Sequence, residues 1–245
     1  EVASLLIDVD VDFFKKSFAQ LTNGQELHSL NIHVDDAKYL NIYFDDLKIN
    51  ETGVLEIYNE EGDLQLKVDS KNNPKGGLYA THPIKGSALK LIFKGDTSDS
   101  KISIGEIGYF WKSLNEISSS GFCQVDVNCS EGEDWENQKN GVVRLLLKTN
   151  SSSVYCSGTL MNNTSRDCRP YVLSADHCID NVSSDNLKQS FAYFNYENSS
   201  CEVENATPDN FILGMALRAS TSFNNSSDVL LLELDEAIPL EYNPY

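Results

Sequence analysis

The stretch Tyr171-Val172-Leu173-Ser174-Ala175-Asp176-His177-Cys178-Ile179 joins a short apolar strand to a turn that carries a histidine and a cysteine. The chain has only four histidines, and a side chain at the end of a strand is held firmly while it stays partly exposed. A general base requires this kind of setting. A lone histidine is more often a surface or hydrogen-bonded core residue, so a catalytic role for His177 needs support from elsewhere in the chain.

The composition excludes two classes of partner. Among the 245 residues, 37 acids against 19 bases give a net charge of −18, which repels nucleic acid backbones and anionic lipid headgroups. No apolar run approaches the roughly 20 residues that a membrane-spanning helix needs. Apolar residues at 40% and charged residues at 23% are typical of packed globular domains, and the length favours two of them.

The cysteines indicate an oxidising compartment. All six lie in the second half of the chain, and no pair has the C-x-x-C spacing of a zinc site. Disulfides are therefore favoured over metal binding, and we expect a secreted or cell-surface protein. The chain starts at Glu1 without a signal peptide, which predicts either that a targeting segment was removed or that the chain is a fragment.

The first half of the chain alternates short apolar segments with turn residues, a pattern that predicts an all-β domain. Seven strands at this spacing favour a β-sandwich over residues 1–112. The candidate strands are residues 29–34, 40–44, 54–58, 65–69, 77–81, 88–93 and 102–109.

Within this domain, Asp8, Asp10 and Asp12 alternate with apolar residues and would share one face of a strand. A calcium or carbohydrate module is the alternative that they suggest. An EF-hand, however, needs glycine and glutamate where this chain has Phe13 and Ala19, so we interpret the run as a solvated edge. No metal and no cofactor is predicted.

The small polar residues of 113–121 predict a linker, and a second domain follows over residues 122–245. Six further strands predict a small barrel. They are residues 142–148, 153–161, 171–174, 189–196, 211–218 and 229–234. The last of these begins at Ser227-Asp228-Val229-Leu230-Leu231-Leu232, where Asp228 at the mouth of an apolar strand would orient His177, although an aspartate that only caps a loop is the simpler reading.

Three separated segments together resemble a known family. Cys156-Ser157-Gly158-Thr159-Leu160-Met161, the stretch ending in His177-Cys178, and Asp228-Val229-Leu230 occur in the order found in the first barrel of chymotrypsin-fold serine proteases. Gly121-Phe122-Cys123-Gln124-Val125-Asp126-Val127-Asn128-Cys129 and Phe194-Asn195-Tyr196-Glu197-Asn198-Ser199-Ser200-Cys201 resemble the bacterial secreted lysyl endopeptidase group more closely. The N-terminal sandwich is more loosely similar to the non-catalytic region of some precursors in this group.

The resemblance implies His177 as general base and Asp228 as its orienting carboxylate. It also implies two disulfides, Cys156–Cys178 and Cys129–Cys201. In the family, Cys123 bonds to a cysteine of a second barrel, and Cys168 has no counterpart. These two cysteines either pair with each other or await other partners.

No Gly-Asp-Ser-Gly segment occurs in the sequence, and in this fold the nucleophile, oxyanion hole and specificity pocket belong to the second barrel. We therefore expect a fragment of a secreted serine endopeptidase that acts on polypeptides but is inactive as this chain alone. The alternative is a binding or adhesion protein that uses a protease-like scaffold. Cleavage after lysine is implied only by the resemblance.

Overall fold

The computed structural model describes residues 1–22, 25–114, 124–201, 203, 206–222 and 227–242. The chain forms two compact units, Ser4–Ser113 and Leu114–Tyr245, the latter together with Glu1–Ala3. Strands dominate both units, which confirms the predicted all-β class. Among the residues described, no helix is long and apolar enough to cross a membrane.

The first unit contains two antiparallel sheets. One has the order β1–β10–β4, with β7 and β8 each paired to β4, and the other has the order β2–β3–β9–β5–β6. A single helical turn, α1 (Phe13–Lys16), links β1 to β2. The strands are β1 (Val2–Asp12), β2 (Phe18–Thr22), β3 (Gln25–His33), β4 (Tyr39–Lys48), β5 (Val54–Tyr58), β6 (Leu64–Val68), β7 (Tyr79–Ala80), β8 (Ile84–Lys85), β9 (Ala88–Lys94) and β10 (Lys101–Phe110).

Apolar side chains at every second position of these strands form one core between the two sheets. Leu89, Leu91 and Phe93 of β9 are buried, and they belong to the same cluster as Ile42 and Phe44 of β4. Because side chains alternate between the faces of a strand, this spacing directs them to one side. The predicted sandwich is confirmed.

All seven predicted strands of the first unit are present, but β1, β2 and β8 were not predicted as strands. In β1 the pairing with β10 shifts between Asp8 and Val11, where Asp10 adopts a φ of 44°. This β-bulge breaks the alternation that would place Asp8, Asp10 and Asp12 on one face. Asp12 instead caps α1 by accepting a hydrogen bond from the main-chain nitrogen of Lys15.

The second unit is a single sheet with the order β15–β14–β11–β12–β13–β17–β16. Its strands are β11 (Val142–Lys148), β12 (Ser152–Met161), β13 (Tyr171–Ser174), β14 (Phe191–Phe194), β15 (Phe211–Leu213), β16 (Met215–Thr221) and β17 (Val229–Leu234). Short helices lie between them: α2 (Glu136–Asn140), α3 (Ser184–Lys188) and 3₁₀ turns at Ser130–Trp135, Asp176–Ile179 and Leu240–Tyr242.

Gly214 joins the two ends of this sheet. It separates β15 from β16 and has a φ of 87°, which favours glycine. Its main-chain nitrogen donates to Ser190 O at 2.9 Å, and its carbonyl accepts from Asp235 N at 3.0 Å. Strands β15 and β16 are thus two halves of one bent strand, and six strands form a nearly closed barrel, as predicted.

Candidate active site

The barrel topology brings together two residues that are 51 positions apart in the chain. Strand β13 ends at Ser174, and the 3₁₀ turn that carries His177 follows it. Asp228 immediately precedes β17. Because β13 and β17 are antiparallel, with Ser174 opposite Leu230, the end of one strand lies beside the start of the other.

His177 binds the carboxylate of Asp228 through two groups. The ring Nδ1 lies 2.8 Å from Oδ2, and the main-chain nitrogen of His177 donates to Oδ1 at 3.0 Å. An ionised carboxylate can only accept hydrogen bonds, so in the neutral ring Nδ1 carries the proton and Nε2 carries the lone pair. The side chain of His177 is 57% exposed and that of Asp228 is 24% exposed. The arrangement therefore fixes the tautomer of an imidazole ring whose side chain is accessible to solvent.

The same contacts keep Asp228 ionised. The main-chain N–H of His177, and then its ring, hold the pKa of the Asp228 carboxyl below its ordinary value. Asp228 has a φ of 52°, a left-handed conformation that aspartate tolerates better than most residues. A negative charge beside the ring stabilises the imidazolium that forms when Nε2 takes up a proton.

A disulfide between Cys156 and Cys178 anchors the turn that carries His177. Cys156 belongs to β12, and Cys178 directly follows the histidine. The hydroxyl of Ser174 also donates to the carbonyl of Ser157 at 2.7 Å, a second link to the same strand. This is one of the two cysteine pairs that the resemblance implies.

The second disulfide joins Cys129 to Cys201 and so connects the segment before the barrel with the loop after β14. Two hydrogen bonds reinforce it: Asn128 Nδ2 donates to Asn198 O at 2.6 Å, and Asn198 Nδ2 donates to Asp126 Oδ2 at 2.6 Å. This pair, too, is the one that the resemblance implies. Disulfides of this kind are typical of proteins outside the reducing cytoplasm.

The two remaining cysteines were predicted either to pair with each other or to await other partners. Cys168 is an exposed free thiol in the loop between β12 and β13, with a φ of 58°. Cys123 lies outside the described residues. The two alternatives stay predictions.

Among the described residues, the only group of three potential metal ligands that lie close together is Cys156, His177 and Cys178. Both cysteines are in the disulfide, and a bonded sulfur offers no thiolate to a metal. The group is therefore unsuited to hold an ion. His28 contacts Ser17 and Glu26 within the sandwich, separately from this group.

Glu233 was not predicted as a functional residue. Its carboxylate accepts hydrogen bonds from Arg169 and Arg218 and is only 11% exposed. We call these three residues the Arg169–Glu233–Arg218 cluster. The sequence does contain a signal for this cluster, a single acid within Leu230-Leu231-Leu232-Glu233-Leu234. A charge in such an apolar strand is buried only if it has a partner, so a basic residue is expected beside it.

The family is shown by a family-level match over more than half of the chain, and one curated relative is similar in sequence. The lysyl endopeptidase of Pseudomonas aeruginosa is 26% identical over 212 residues, which cover 80% of this chain and 44% of the relative. The chain thus spans less than half the length of this curated relative. Residues 117–245, more than half of the chain, match the family described as "Lysyl endopeptidase, C-terminal domain". The chain therefore belongs to the lysyl endopeptidase family.

Proposed function

We propose that this chain supplies the general base and the orienting carboxylate of a serine endopeptidase that hydrolyses peptide bonds. His177 is the base, and Asp228 is the residue that orients it. The observation that carries the proposal is the pair of hydrogen bonds from one histidine to both oxygens of Asp228. One bond fixes the ring tautomer, and the other fixes the position of the carboxylate.

In the proposed reaction, Nε2 of His177 accepts the hydroxyl proton of a serine as that serine attacks the carbonyl carbon of the substrate. The resulting imidazolium is stabilised by the ionised Asp228. The imidazolium then donates its proton to the leaving amine as the peptide bond breaks. This leaves the serine esterified by the acyl part of the substrate. Water then attacks the ester while Nε2 takes a proton from it, and the imidazolium returns that proton to the serine oxygen as the ester bond breaks.

We propose that the nucleophilic serine and the oxyanion donors come from residues of the full-length protein that are not among these 245. The sequence contains no Gly-Asp-Ser-Gly segment, and it covers 44% of the Pseudomonas aeruginosa relative. Without a nucleophile and oxyanion donors, this chain alone does not hydrolyse peptides. The disulfides and the bacterial relative support a secreted bacterial enzyme, and the relative's name supports cleavage at lysine. Residues 1–112 form its non-catalytic accessory domain.

The test compares full-length protein with the variant His177→Ala on peptides that contain one lysine. A loss of kcat of about 10³-fold or more is expected, since the base of a triad contributes at least this much. His33→Ala is the matched control, because His33 also bonds an aspartate, Asp35, but lies in the sandwich. Full activity in His177→Ala would overturn the proposal.

A second measurement tests the location of the nucleophile. The purified 245-residue chain is incubated with the same peptides and with a serine-directed phosphonate that labels activated serines. Neither cleavage nor labelling is expected. Cleavage that the phosphonate abolishes would show that the nucleophile lies within this chain.

A further inference from the structure

The Arg169–Glu233–Arg218 cluster lies at the end of β17 opposite Asp228. Arg169 holds the carboxylate of Glu233 with two parallel bonds, Nε to Oε1 at 2.8 Å and Nη2 to Oε2 at 2.6 Å. Arg218 adds a bond from its own Nε to Oε2. Burial opposes ionisation of Glu233, but the hydrogen bonds from Arg169 and Arg218 outweigh it and hold the pKa of this carboxyl below its usual range.

The three residues come from three neighbouring segments of the barrel. Arg169 precedes β13, Glu233 is in β17, and Arg218 is in β16 at a shift of register between Leu217 and Ala219. Both arginines are about half exposed, at 47% and 46%, whereas the side chain of Glu233 is 11% exposed. The cluster therefore ties one nearly buried acid to both strands that flank it.

The apolar pattern of β17 does not by itself select between registers that differ by two residues. Its sequence is Val229-Leu230-Leu231-Leu232-Glu233-Leu234, so inward and outward positions carry nearly the same side chain. A slip by one residue would turn the buried side chains of β17 to the other face of the sheet, but a slip by two residues keeps each side chain on its own face and is not opposed in this way. Glu233 is the only charged residue of the strand, so it is the residue whose position distinguishes one such register from another.

The partner strand is short, which makes register matter more. Strand β13 has four residues, paired as Tyr171 with Glu233, through to Ser174 with Leu230. A slip by two residues would keep the same faces inward and leave the core apolar, but it would move the strands by about 6.8 Å. His177 would then lose its contacts with Asp228, which depend on hydrogen-bond distances.

We propose that Glu233, held by Arg169 and Arg218, is a positioning residue that fixes the register of β13 against β17 and thereby brings Asp228 to His177. The catalytic consequence rests on the proposed function, but the register itself does not. Glu233 is nearly buried while its two arginines are half exposed. Ion pairs that involve a buried charge often add little stability relative to an apolar replacement, and a polar residue within an apolar interface can specify register instead. The cluster matches that use.

The test reads register directly by cross-strand disulfides in the 245-residue chain, in a Cys168→Ser background. Leu173→Cys with Leu231→Cys reports the native register, since these residues are directly opposite. Leu173→Cys with Val229→Cys, and Ala175→Cys with Leu231→Cys, report slips by two residues in either direction. A disulfide needs Cα atoms about 4.4–6.8 Å apart, so each pair reports one register.

Each cysteine pair is introduced into the chain with the unchanged cluster and into the chain with Arg169→Leu/Glu233→Leu/Arg218→Leu. Both proteins are oxidised, and cross-linking is measured by mass spectrometry. In the unchanged cluster, only the native pair is expected to cross-link. In the apolar variant, at least one slipped pair is expected to increase about tenfold, while the unfolding midpoint of the barrel shifts by less than about 4 °C.

Cross-linking confined to the native pair in the apolar variant would overturn the inference, whatever happens to stability. If that variant does not fold, Glu233→Gln replaces it, because this change keeps the shape and removes the charge. The slipped pairs are expected to rise there too, and their absence would again refute the register role. These readouts need no enzymatic activity, so they stand or fall separately from the proposed function.

In the full-length protein the same apolar variant is expected to lose kcat with little change in KM. The three replaced residues are not proposed to contact the substrate, so KM is expected to stay the same, whereas fewer molecules have His177 bonded to Asp228. Unchanged kcat together with increased slipped cross-links would retain the register role and reject its catalytic consequence.

Discussion

The ring and the main chain of His177 each bind a different oxygen of Asp228, at 2.8 and 3.0 Å. The sandwich offers a contrast, because His33 Nε2 meets one oxygen of Asp35 at 3.0 Å and both side chains are largely exposed. A single contact between exposed groups leaves both free to rotate. Two contacts define the plane of the carboxylate relative to the ring, so only the barrel pair is suited to hold one tautomer.

Asp228→Asn in the full-length protein is expected to lower kcat by about 10⁴-fold while the fold is retained. The amide oxygen still accepts the main-chain N–H of His177, but the amide nitrogen then faces Nδ1 and favours the proton on Nε2. This is the wrong tautomer for a base. Steady-state kinetics check it, with Asp35→Asn as the control that should change kcat less than about twofold. Comparable losses in both variants would contradict the assigned role.

The lowered pKa of Asp228 predicts a pH dependence of stability. The hydrogen bonds from His177 stabilise the ionised carboxyl of Asp228 in the folded chain and are absent from the unfolded chain. Their contribution to the free energy of unfolding is therefore complete above the unfolded pKa of about 3.9. It is lost as pH falls through the lower, folded value. Thermal unfolding of wild type and Asp228→Asn between neutral pH and about pH 2 measures this, and the difference between them should shrink on acidification. A difference that grows instead would contradict it.

Removal of the Cys156–Cys178 disulfide by two serine substitutions is expected to cost the barrel about 3 kcal/mol, from a sequence separation of 22 residues. In the full-length protein it should also lower kcat, because Cys178 directly follows His177 and its disulfide holds the turn that carries the histidine. Removal of Cys129–Cys201, with a separation of 72 residues, should cost about 4 kcal/mol but affect kcat less. Denaturant unfolding and kinetics together check this, and equal effects on kcat would argue against a local role of the first disulfide.

Gly214→Ala is expected to destabilise the barrel by more than Gly62→Ala destabilises the sandwich. Both glycines have similar positive φ values, 87° and 88°, so both changes carry a backbone cost of about 1–2 kcal/mol. A Cβ at Gly214 would lie 2.5 Å from Oδ2 of Asp235, whereas a Cβ at Gly62 meets nothing within 4 Å. Urea unfolding of each unit measures the two costs. Equal values would show that the Asp235 side chain, held by Lys188, moves aside without penalty.

Much of the fold was predictable because apolar and polar residues alternate where one face of a strand is buried. The predicted strand at 54–58 coincides with β5, and the predicted strand at 229–234 coincides with β17. Strand β2 escaped prediction because all five of its residues are exposed, so it has no buried face to mark it. Residues 8–12 of β1 do alternate in sequence, but the run was interpreted as a solvated edge and was not included among the candidate strands.

By itself, the sequence determined the all-β class, the six barrel strands and the identity of the two candidate residues. These depend on residue type, on the spacing of apolar residues within each segment, and on the order of the segments along the chain. Only the tertiary structure decided that Gly214 joins the ends of the barrel sheet, that Glu233 binds two arginines, and that His177 meets Asp228 at hydrogen-bond distance. The physical reason is that these contacts join segments far apart in sequence. A run of leucines keeps the same faces when the register shifts by two residues, so no local pattern encodes which residues meet.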